Sequence, residues 1–282
     1  MYEIYWNLKE KPFENTPDPK YLYYSSLHKE AISRLLYAVR EKKGAALLTG
    51  EYGSGKTLLS RILLEELAQE HIYQSVVIFN PRLEATDMLR TIFMQLQDQS
   101  PPNSKSELLT ALYNIFYSIY RSNKHAVIVI DEAQAIINEE VFEELRLLLN
   151  FQLNNAFLLT LVILGQPELK SKIAKLPQLL QRLSIRYHLN ALNEEETKQY
   201  ILHRLSVAGA TGQIFTEEAF KDIYFFSGGI PRQINTICDL ALLVGYGENL
   251  KQITRDVILK VAEDIKPTPS LLEKQQGLYF GR

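Results

Sequence analysis

The segment from Gly50 to Thr57 fills every fixed position of the pattern G-x-x-x-x-G-K-[ST]. The glycines allow turns that bulkier residues resist, so successive backbone N–H groups can point inward at phosphate groups. Lys56 adds a cation for the β- and γ-phosphates, and the Thr57 hydroxyl can ligate Mg²⁺. An apolar segment at 45–49 and a helical pattern at 58–69 flank the loop, which disfavours a simple glycine turn with an incidental lysine. The predicted nucleotide-binding residues are Gly50, Glu51, Tyr52, Gly53, Ser54, Gly55, Lys56, Thr57 and Leu58.

Two carboxylates form a second chemical motif further along the chain. Asp131 and Glu132 directly follow four apolar residues, 127–130, which is the Walker B arrangement. Asp131 can hold Mg²⁺ through water, and Glu132 can orient and polarise an attacking water. An acidic strand end alone is common, but together with the glycine loop it predicts hydrolysis of the nucleotide rather than binding alone.

Two amide side chains at predicted strand ends are further candidates. Asn80 can hydrogen-bond the catalytic glutamate and hold it out of position until a partner arrives; the alternative is a turn former beside Pro81. Gln166 follows the fourth predicted strand, from which it could reach the γ-phosphate or the attacking water. The alternative for Gln166 is an ordinary loop residue. For Asn80 both interpretations stay open, and for Gln166 the functional one is favoured.

Three arginines are candidates for phosphate chemistry. Arg182 precedes the last predicted strand, and a guanidinium there could stabilise the charge that develops on the γ-phosphate of a neighbouring subunit. The alternatives are a surface salt bridge at Arg182, or Arg186 as the residue with this role. Pro231 and Arg232 begin a predicted helix, where a cation is electrostatically unfavourable unless an anion such as a phosphate is bound. A solvated first-turn arginine is the alternative for Arg232.

The elements that must position these residues alternate between strand and helix up to residue 190, which predicts an α/β fold with a parallel sheet wrapped by helices. Beyond residue 190 the patterns are helical. The predicted domains are 1–190, with a proline- and tyrosine-rich arm at 1–27, a helical domain at 191–266, and a tail at 267–282. The arm's aromatic residues could contact adenine or pin the arm to the core. The predicted strands lie at 45–49, 75–80, 126–130, 157–164 and 186–189, and the helices before residue 190 at 27–42, 58–69, 86–98, 107–121 and 138–153.

The composition limits the classes of function. The 282 residues carry a net charge of −2 with a pI near 6.3, which gives no support for general nucleic-acid binding, although a local basic patch stays open. The single cysteine, Cys238, excludes an internal disulfide. The first eleven residues lack the apolar core of a signal peptide, and no apolar run is long enough to span a membrane. A cytoplasmic protein is expected.

The ordered set of motifs resembles an AAA+ ATPase. In that family Gln166 occupies the sensor 1 position, residues 181–182 the arginine-finger box, and residues 229–232 the sensor 2 motif of a helical lid. The opening at 8–19 and the sequence from Asp131 to Gln134 are similar to the general secretion pathway protein A (ExeA-type) family. That resemblance implies a P-loop NTPase sheet with a small all-helical lid domain, hydrolysis of ATP with Mg²⁺, and a role in assembling envelope machinery such as secretin or pilus systems.

The resemblance also guides the expected partners. Members of that secretion family usually continue into a transmembrane helix and a periplasmic region, and this sequence ends at Arg282 without them. We therefore expect a homo-oligomer that meets a secretion, pilus or polysaccharide-export protein and is at most peripheral to the inner membrane. Transposition regulators of the TniB type share the ATPase architecture and bind DNA; this alternative is kept but not favoured.

Overall fold

The computed structural model describes residues 1–154 and 156–265, which form two compact units. The sheet unit is Tyr24–Asn190, and the helical unit combines Met1–Tyr23 with the chain from Ala191 onward. The predicted tail at 267–282 lies outside the described residues.

The strands and helices are numbered in chain order. The strands are β1 (Ala45–Gly50), β2 (Tyr73–Ile78), β3 (His125–Ile130), β4 (Gln152–Leu153), β5 (Ala156–Phe157), β6 (Leu159–Gly165) and β7 (Leu183–Leu189). The helices are α1 (Tyr2–Tyr5), α2 (Ser26–Arg40), α3 (Lys56–Gln69), α4 (Ala85–Leu96), α5 (Lys105–Arg121), α6 (Glu139–Leu148), α7 (Glu168–Ala174), α8 (Pro177–Arg182), α9 (Glu194–Val207), α10 (Glu217–Ser227), α11 (Pro231–Gly247) and α12 (Arg255–Ile265). Short 3₁₀ turns lie at Pro19–Tyr21 and Ala133–Ala135.

Five parallel strands form the sheet in the order β2-β3-β6-β1-β7. Every residue of β1, β3 and β6 is buried, because helices cover both faces, and this explains their nearly continuous apolar sequences. The edge strands β2 and β7 are partly exposed. The predicted α/β fold with a parallel sheet and a helical C-terminal region is confirmed. Since the strands are parallel, their carboxyl ends meet at one edge of the sheet, where sites of this fold class form.

The chain between α6 and β6 differs from the sequence prediction. Helix α6 ends at Leu148 instead of residue 153, and β4 and β5 form a short antiparallel pair. The Leu158 N–H donates to the Phe151 carbonyl at 3.1 Å and closes this hairpin, so the long strand begins only at Leu159. Helices α7 and α8 were not predicted, because their apolar patterns are only six or seven residues long.

Residues 1–23 of the predicted N-terminal arm belong to the helical unit, whereas the sequence prediction assigned the whole arm, 1–27, to the P-loop domain. The aromatic side chains of the arm attach it to this unit, because Trp6, Phe13 and Tyr21 are buried in the core of the helical unit. The Trp6 indole N–H also donates to the Leu242 carbonyl at 3.0 Å. The structure therefore supports pinning of the arm, and not an adenine contact, as the role of these three aromatics.

A buried arginine holds the arm in place. The Arg204 guanidinium donates to the carbonyl oxygens of Pro12 and Glu14, at 2.5 and 3.0 Å, and to the Tyr200 hydroxyl at 2.8 Å. Its Cζ atom also lies over the Tyr21 ring, 4.7 Å from the centroid. Arg204 thus satisfies two backbone carbonyls of a segment that has no regular secondary structure.

Within the described parts of the chain, none of the helices combines the length and apolar character needed to cross a bilayer.

Candidate nucleotide site at the carboxyl edge of the sheet

The glycine loop connects the end of β1 to the start of α3. Gly53 and Gly55 have φ angles of 82° and 103°, in the left-handed region that favours glycine. At Gly50 a Cβ atom would lie 2.8 Å from both the Leu189 carbonyl oxygen and the Ser54 hydroxyl. The fixed glycines of the sequence pattern are therefore required by the backbone geometry of the loop.

Two buried polar groups inside the loop fit a phosphate ligand. Lys56 is 4% exposed, and its ammonium donates to the carbonyls of Gly50 and Glu51 at 2.8 and 2.9 Å. Burial lowers the pKa of Lys56, and the nearby charge of Glu132 acts in the opposite direction. The Ser54 hydroxyl is buried and has no hydrogen-bond partner among the described residues. A phosphate oxygen would supply what such a hydroxyl lacks.

His28 supports the loop, and no role was predicted for it from the sequence. Its Nε2 lies 3.1 Å from the Ser54 carbonyl oxygen, and its Nδ1 lies 2.7 Å from the Ser25 hydroxyl. Because a carbonyl oxygen can only accept, Nε2 must carry the proton. A Cβ at Gly55 would lie 3.1 Å from this nitrogen, so ring and loop are in close contact. His28 therefore fixes the Ser54 peptide that the loop presents.

The metal-ligand candidates Thr57 and Asp131 lie together. Asp131 follows β3 directly and is 1% exposed. Burial raises the pKa of the Asp131 carboxyl, while hydrogen bonds from the Thr57 side chain and the Glu132 N–H favour its ionised form. The Glu132 bond is 2.9 Å long. A hydroxyl and a carboxylate at this position are the oxygen donors that Mg²⁺ prefers.

Glu132 has an unusual backbone and a well-defined set of partners. Its φ of 53° and ψ of 36° are left-handed, a conformation that costs a non-glycine residue about 1–3 kcal/mol and concentrates at functional sites. The Gln134 amide donates to Oε2 of Glu132, and the Gln166 amide donates to the same oxygen at 3.4 Å. The structure therefore brings Gln166, and also Gln134, to Glu132. The reach of Gln166 to the γ-phosphate or the attacking water stays a prediction, and no role was predicted for Gln134.

Asn80 is not brought to Glu132. Strand β2 ends at Ile78, two residues earlier than predicted, and Asn80 is exposed. Its Oδ1 accepts from the Arg82 N–H at 3.4 Å, and across the described ranges no hydrogen bond joins it to Glu132. This geometry matches the turn-former alternative.

Arg182 lies at the amino-terminal ends of the strands, whereas the glycine loop lies at their carboxyl ends. It immediately precedes the seven-residue strand β7, whose last residue, Leu189, pairs with Gly50. At about 3.3 Å per residue, Arg182 is roughly 20 Å from the loop of its own chain. The guanidinium donates to the Asn150 side chain at 3.0 Å, and Arg186 is exposed midway along β7.

The remaining predicted residues are placed as follows. Glu51 and Tyr52 are exposed in the loop, and Leu58 is half-buried in the first turn of α3. Pro231 and Arg232 begin α11 of the helical unit. Their contact with phosphate stays a prediction.

Comparisons with known proteins agree with this fold. A sequence model of the AAA domain matches residues 39–173. The crystal structure of Cdc6p from Pyrobaculum aerophilum superposes with a TM-score of 0.69 at 17% identity, over 89% of this chain and 71% of that one. The structure of Drosophila ORC bound to DNA gives a TM-score of 0.67 at 17% identity, over 87% and 62% of the two chains. The chain therefore carries an AAA domain and has the AAA+ fold.

A curated relative is similar along most of the chain. Over 271 residues the sequence is 38% identical to General secretion pathway protein A of Aeromonas hydrophila. The match covers 94% of this chain and 48% of that protein, so the chain spans about half the length of this relative. The resemblance to this family that the motifs predicted is confirmed.

Proposed function

We propose that this protein binds ATP with Mg²⁺ and hydrolyses it. The observation that carries the proposal is the convergence of Lys56, Thr57, Asp131 and Glu132 at the carboxyl edge of the sheet. The loop's N–H groups and Lys56 bind the phosphates, and Thr57 holds Mg²⁺ together with Asp131. When bound, Mg²⁺ draws charge from the phosphate oxygens.

Glu132 is the general base in this proposal. It orients a water molecule and accepts its proton while the water oxygen forms a bond to the γ-phosphorus. The bond between the γ-phosphorus and the bridging oxygen breaks, and ADP leaves. When the nucleotide binds, the Lys56 ammonium replaces its hydrogen bonds to the Gly50 and Glu51 carbonyls with hydrogen bonds to phosphate oxygens. The buried ammonium therefore stays hydrogen-bonded.

Three variants test the ATPase proposal directly. Lys56→Ala should weaken ATP binding by at least about tenfold, because a charge-assisted contact is lost. Glu132→Gln should bind ATP normally and lose turnover by about 10²-fold or more. A phosphate-release assay and a nucleotide-binding titration separate the two effects, with the exposed Asn80→Ala as the control. Normal turnover by Glu132→Gln would reject Glu132 as the base.

We also propose that the protein is active as a homo-oligomer in which Arg182 acts on a neighbouring copy. The distance of roughly 20 Å supports this, since Arg182 is too far from its own glycine loop. Mixing an inactive Glu132→Gln copy with an inactive Arg182→Ala copy should restore turnover, because some interfaces then contain both intact residues. Failure of every mixture to exceed the separate variants would rule out action in trans. The same mixture with Arg186→Ala tests the alternative arginine.

The finer role we propose is assembly of envelope machinery at the cytoplasmic face of the inner membrane, reached through a protein partner. Similarity to General secretion pathway protein A supports this role. Deleting the gene should leave the subunits of that machinery unassembled, and Glu132→Gln should not restore assembly. Unchanged assembly after deletion would refute the role and leave the ATPase proposal intact.

A further inference from the structure

The Gln134 side chain is held at both of its polar atoms. Oε1 accepts from the backbone N–H of Gln166 at 2.9 Å, and Nε2 donates to Oε2 of Glu132. A backbone N–H can only donate, so the amide oxygen of Gln134 must face Gln166. Its NH₂ group must therefore face the Glu132 carboxylate, and the amide orientation is fixed by its partners.

The Gln134 side chain thus forms a bridge between the Gln166 N–H and the Glu132 carboxylate, and the surrounding chain leaves room for it. Gly165 is the last residue of β6, and a Cβ there would lie 2.8 Å from Oε1 of Gln134. Glycine thus lets the amide reach the backbone that follows β6. On the other side, the Lys172 ammonium donates to the Gln134 carbonyl at 2.6 Å. The bridge links the ends of β3 and β6, which are neighbours in the sheet.

We propose that Gln134 is the positioning residue for Glu132, an inference that rests on the proposed ATPase function. Gln134 and the longer bond from Gln166 both use Oε2 of Glu132. In this proposal Oε1 is therefore the oxygen that accepts the proton of the attacking water. A neutral amide fixes the direction of a carboxylate without cancelling its charge, which is what a general base requires.

This assignment gives Gln134 the contact with Glu132 that the sequence analysis considered for Asn80. Asn80 bonds to the Arg82 N–H instead. Asn80 follows β2 and Gln134 follows β3, and of these two amides only Gln134 hydrogen-bonds Glu132 within the described part of the chain.

The test compares Gln134→Leu, which keeps the volume and removes both hydrogen bonds, with Asn80→Ala. We expect Gln134→Leu to lower kcat by about 10- to 100-fold, the effect of misplacing a catalytic group by up to about 1 Å. The Kd for ATP should change by less than about twofold, because Gln134 has no predicted contact with the phosphates. Asn80→Ala should keep kcat within about twofold of the wild type, because it removes no bond to Glu132.

A double variant distinguishes positioning from general damage. In a Glu132→Gln background, Gln134→Leu should cause no further loss, because the group it positions is already inactive. If Gln134→Leu does not fold, Gln134→Glu keeps the shape and places a carboxylate against Glu132. Its kcat should be low, because the second carboxylate repels Glu132 and donates no hydrogen bond to it; a kcat equal to that of the wild type would overturn the positioning role.

The outcomes are separable. Wild-type protein without turnover would refute the ATPase function and this proposal with it. Turnover in the wild type together with normal kcat in Gln134→Leu would overturn the positioning role alone. An equal loss in the wild-type and Glu132→Gln backgrounds would also overturn it, because Gln134 would then act independently of Glu132.

Discussion

Gly165→Ala should impair turnover although the substitution adds only one methyl group. The new Cβ would lie 2.6 Å from Cδ2 of Leu169 and 2.8 Å from Oε1 of Gln134. Ordinary contact begins at 3.4 Å, so the amide must retreat by about 0.6 Å. That movement lengthens its 2.9 Å bond from the Gln166 N–H to about 3.5 Å, beyond a good hydrogen bond. The orientation of Glu132 then loses its support from β6.

We expect kcat to fall by about tenfold and the Kd for ATP to stay within about threefold, since displacements below 1 Å cost less than 10²-fold. Overpacking against Leu169 should also lower the free energy of unfolding by about 1–3 kcal/mol. Steady-state kinetics, a binding titration and urea unfolding measure these effects. Gly212→Ala is the control, because nothing lies within 4 Å of its Cβ position. Unchanged kcat in Gly165→Ala, with Gly212→Ala equally active, would refute the reasoning.

Three further predictions concern the histidines and the arm. His28→Ala should weaken ATP binding by about fivefold in a titration, because the loop loses one hydrogen bond of about 1 kcal/mol at Ser54. Unchanged affinity would contradict this. Arg204→Ala should lower the free energy of unfolding by about 3–5 kcal/mol, because three oxygens lose their hydrogen-bond donor. The exposed control Arg34→Ala should lower it by less than about 1 kcal/mol. Similar losses in the two variants would contradict this prediction. Burial lowers the pKa of His125 from 6.5 to about 4. The unfolded chain therefore binds more protons between these values, and about 3 kcal/mol of stability should be lost as the pH falls through that window. In His125→Gln this part of the pH dependence should be absent from denaturant titrations, and an unchanged profile would contradict it.

The sequence predicted the elements whose signals are local. Strands β1 and β3 are nearly continuous apolar runs, because both faces of the sheet are covered. The glycines of the loop at 50–57 likewise mark its turns in the sequence. The hairpin of β4 and β5 was missed, because two-residue strands have no periodicity to detect. The position of the arm was missed for a different reason: the Trp6 indole bonds to Leu242, 236 residues away. No local pattern encodes such a partner.

The same limit applies within the site. Lys56, Thr57, Asp131 and Glu132 were predictable, because side-chain type and strand context define their chemistry. Gln134 was not, since its role depends on a backbone N–H 32 residues later. His28 was missed likewise, because its partner is a backbone carbonyl 26 residues later. Almost any residue can supply a backbone N–H or carbonyl, so the sequence does not show which one a side chain will bind. Residues that act through such main-chain hydrogen bonds can be recognised only when the fold is known.

The left-handed backbone of Glu132 and the bridge made by Gln134 depend on each other. If β3 continued in an extended conformation past Ile130, the chain would advance about 3.3 Å per residue and carry Gln134 away from the end of β6. The left-handed residue turns the chain at once into the 3₁₀ turn Ala133–Ala135, which returns Gln134 toward both Glu132 and the Gln166 N–H. The strain of about 1–3 kcal/mol at Glu132 is thus offset in part by hydrogen bonds that exist only because of that turn. In the proposed enzyme, the conformation that costs stability is therefore the one that orients the base.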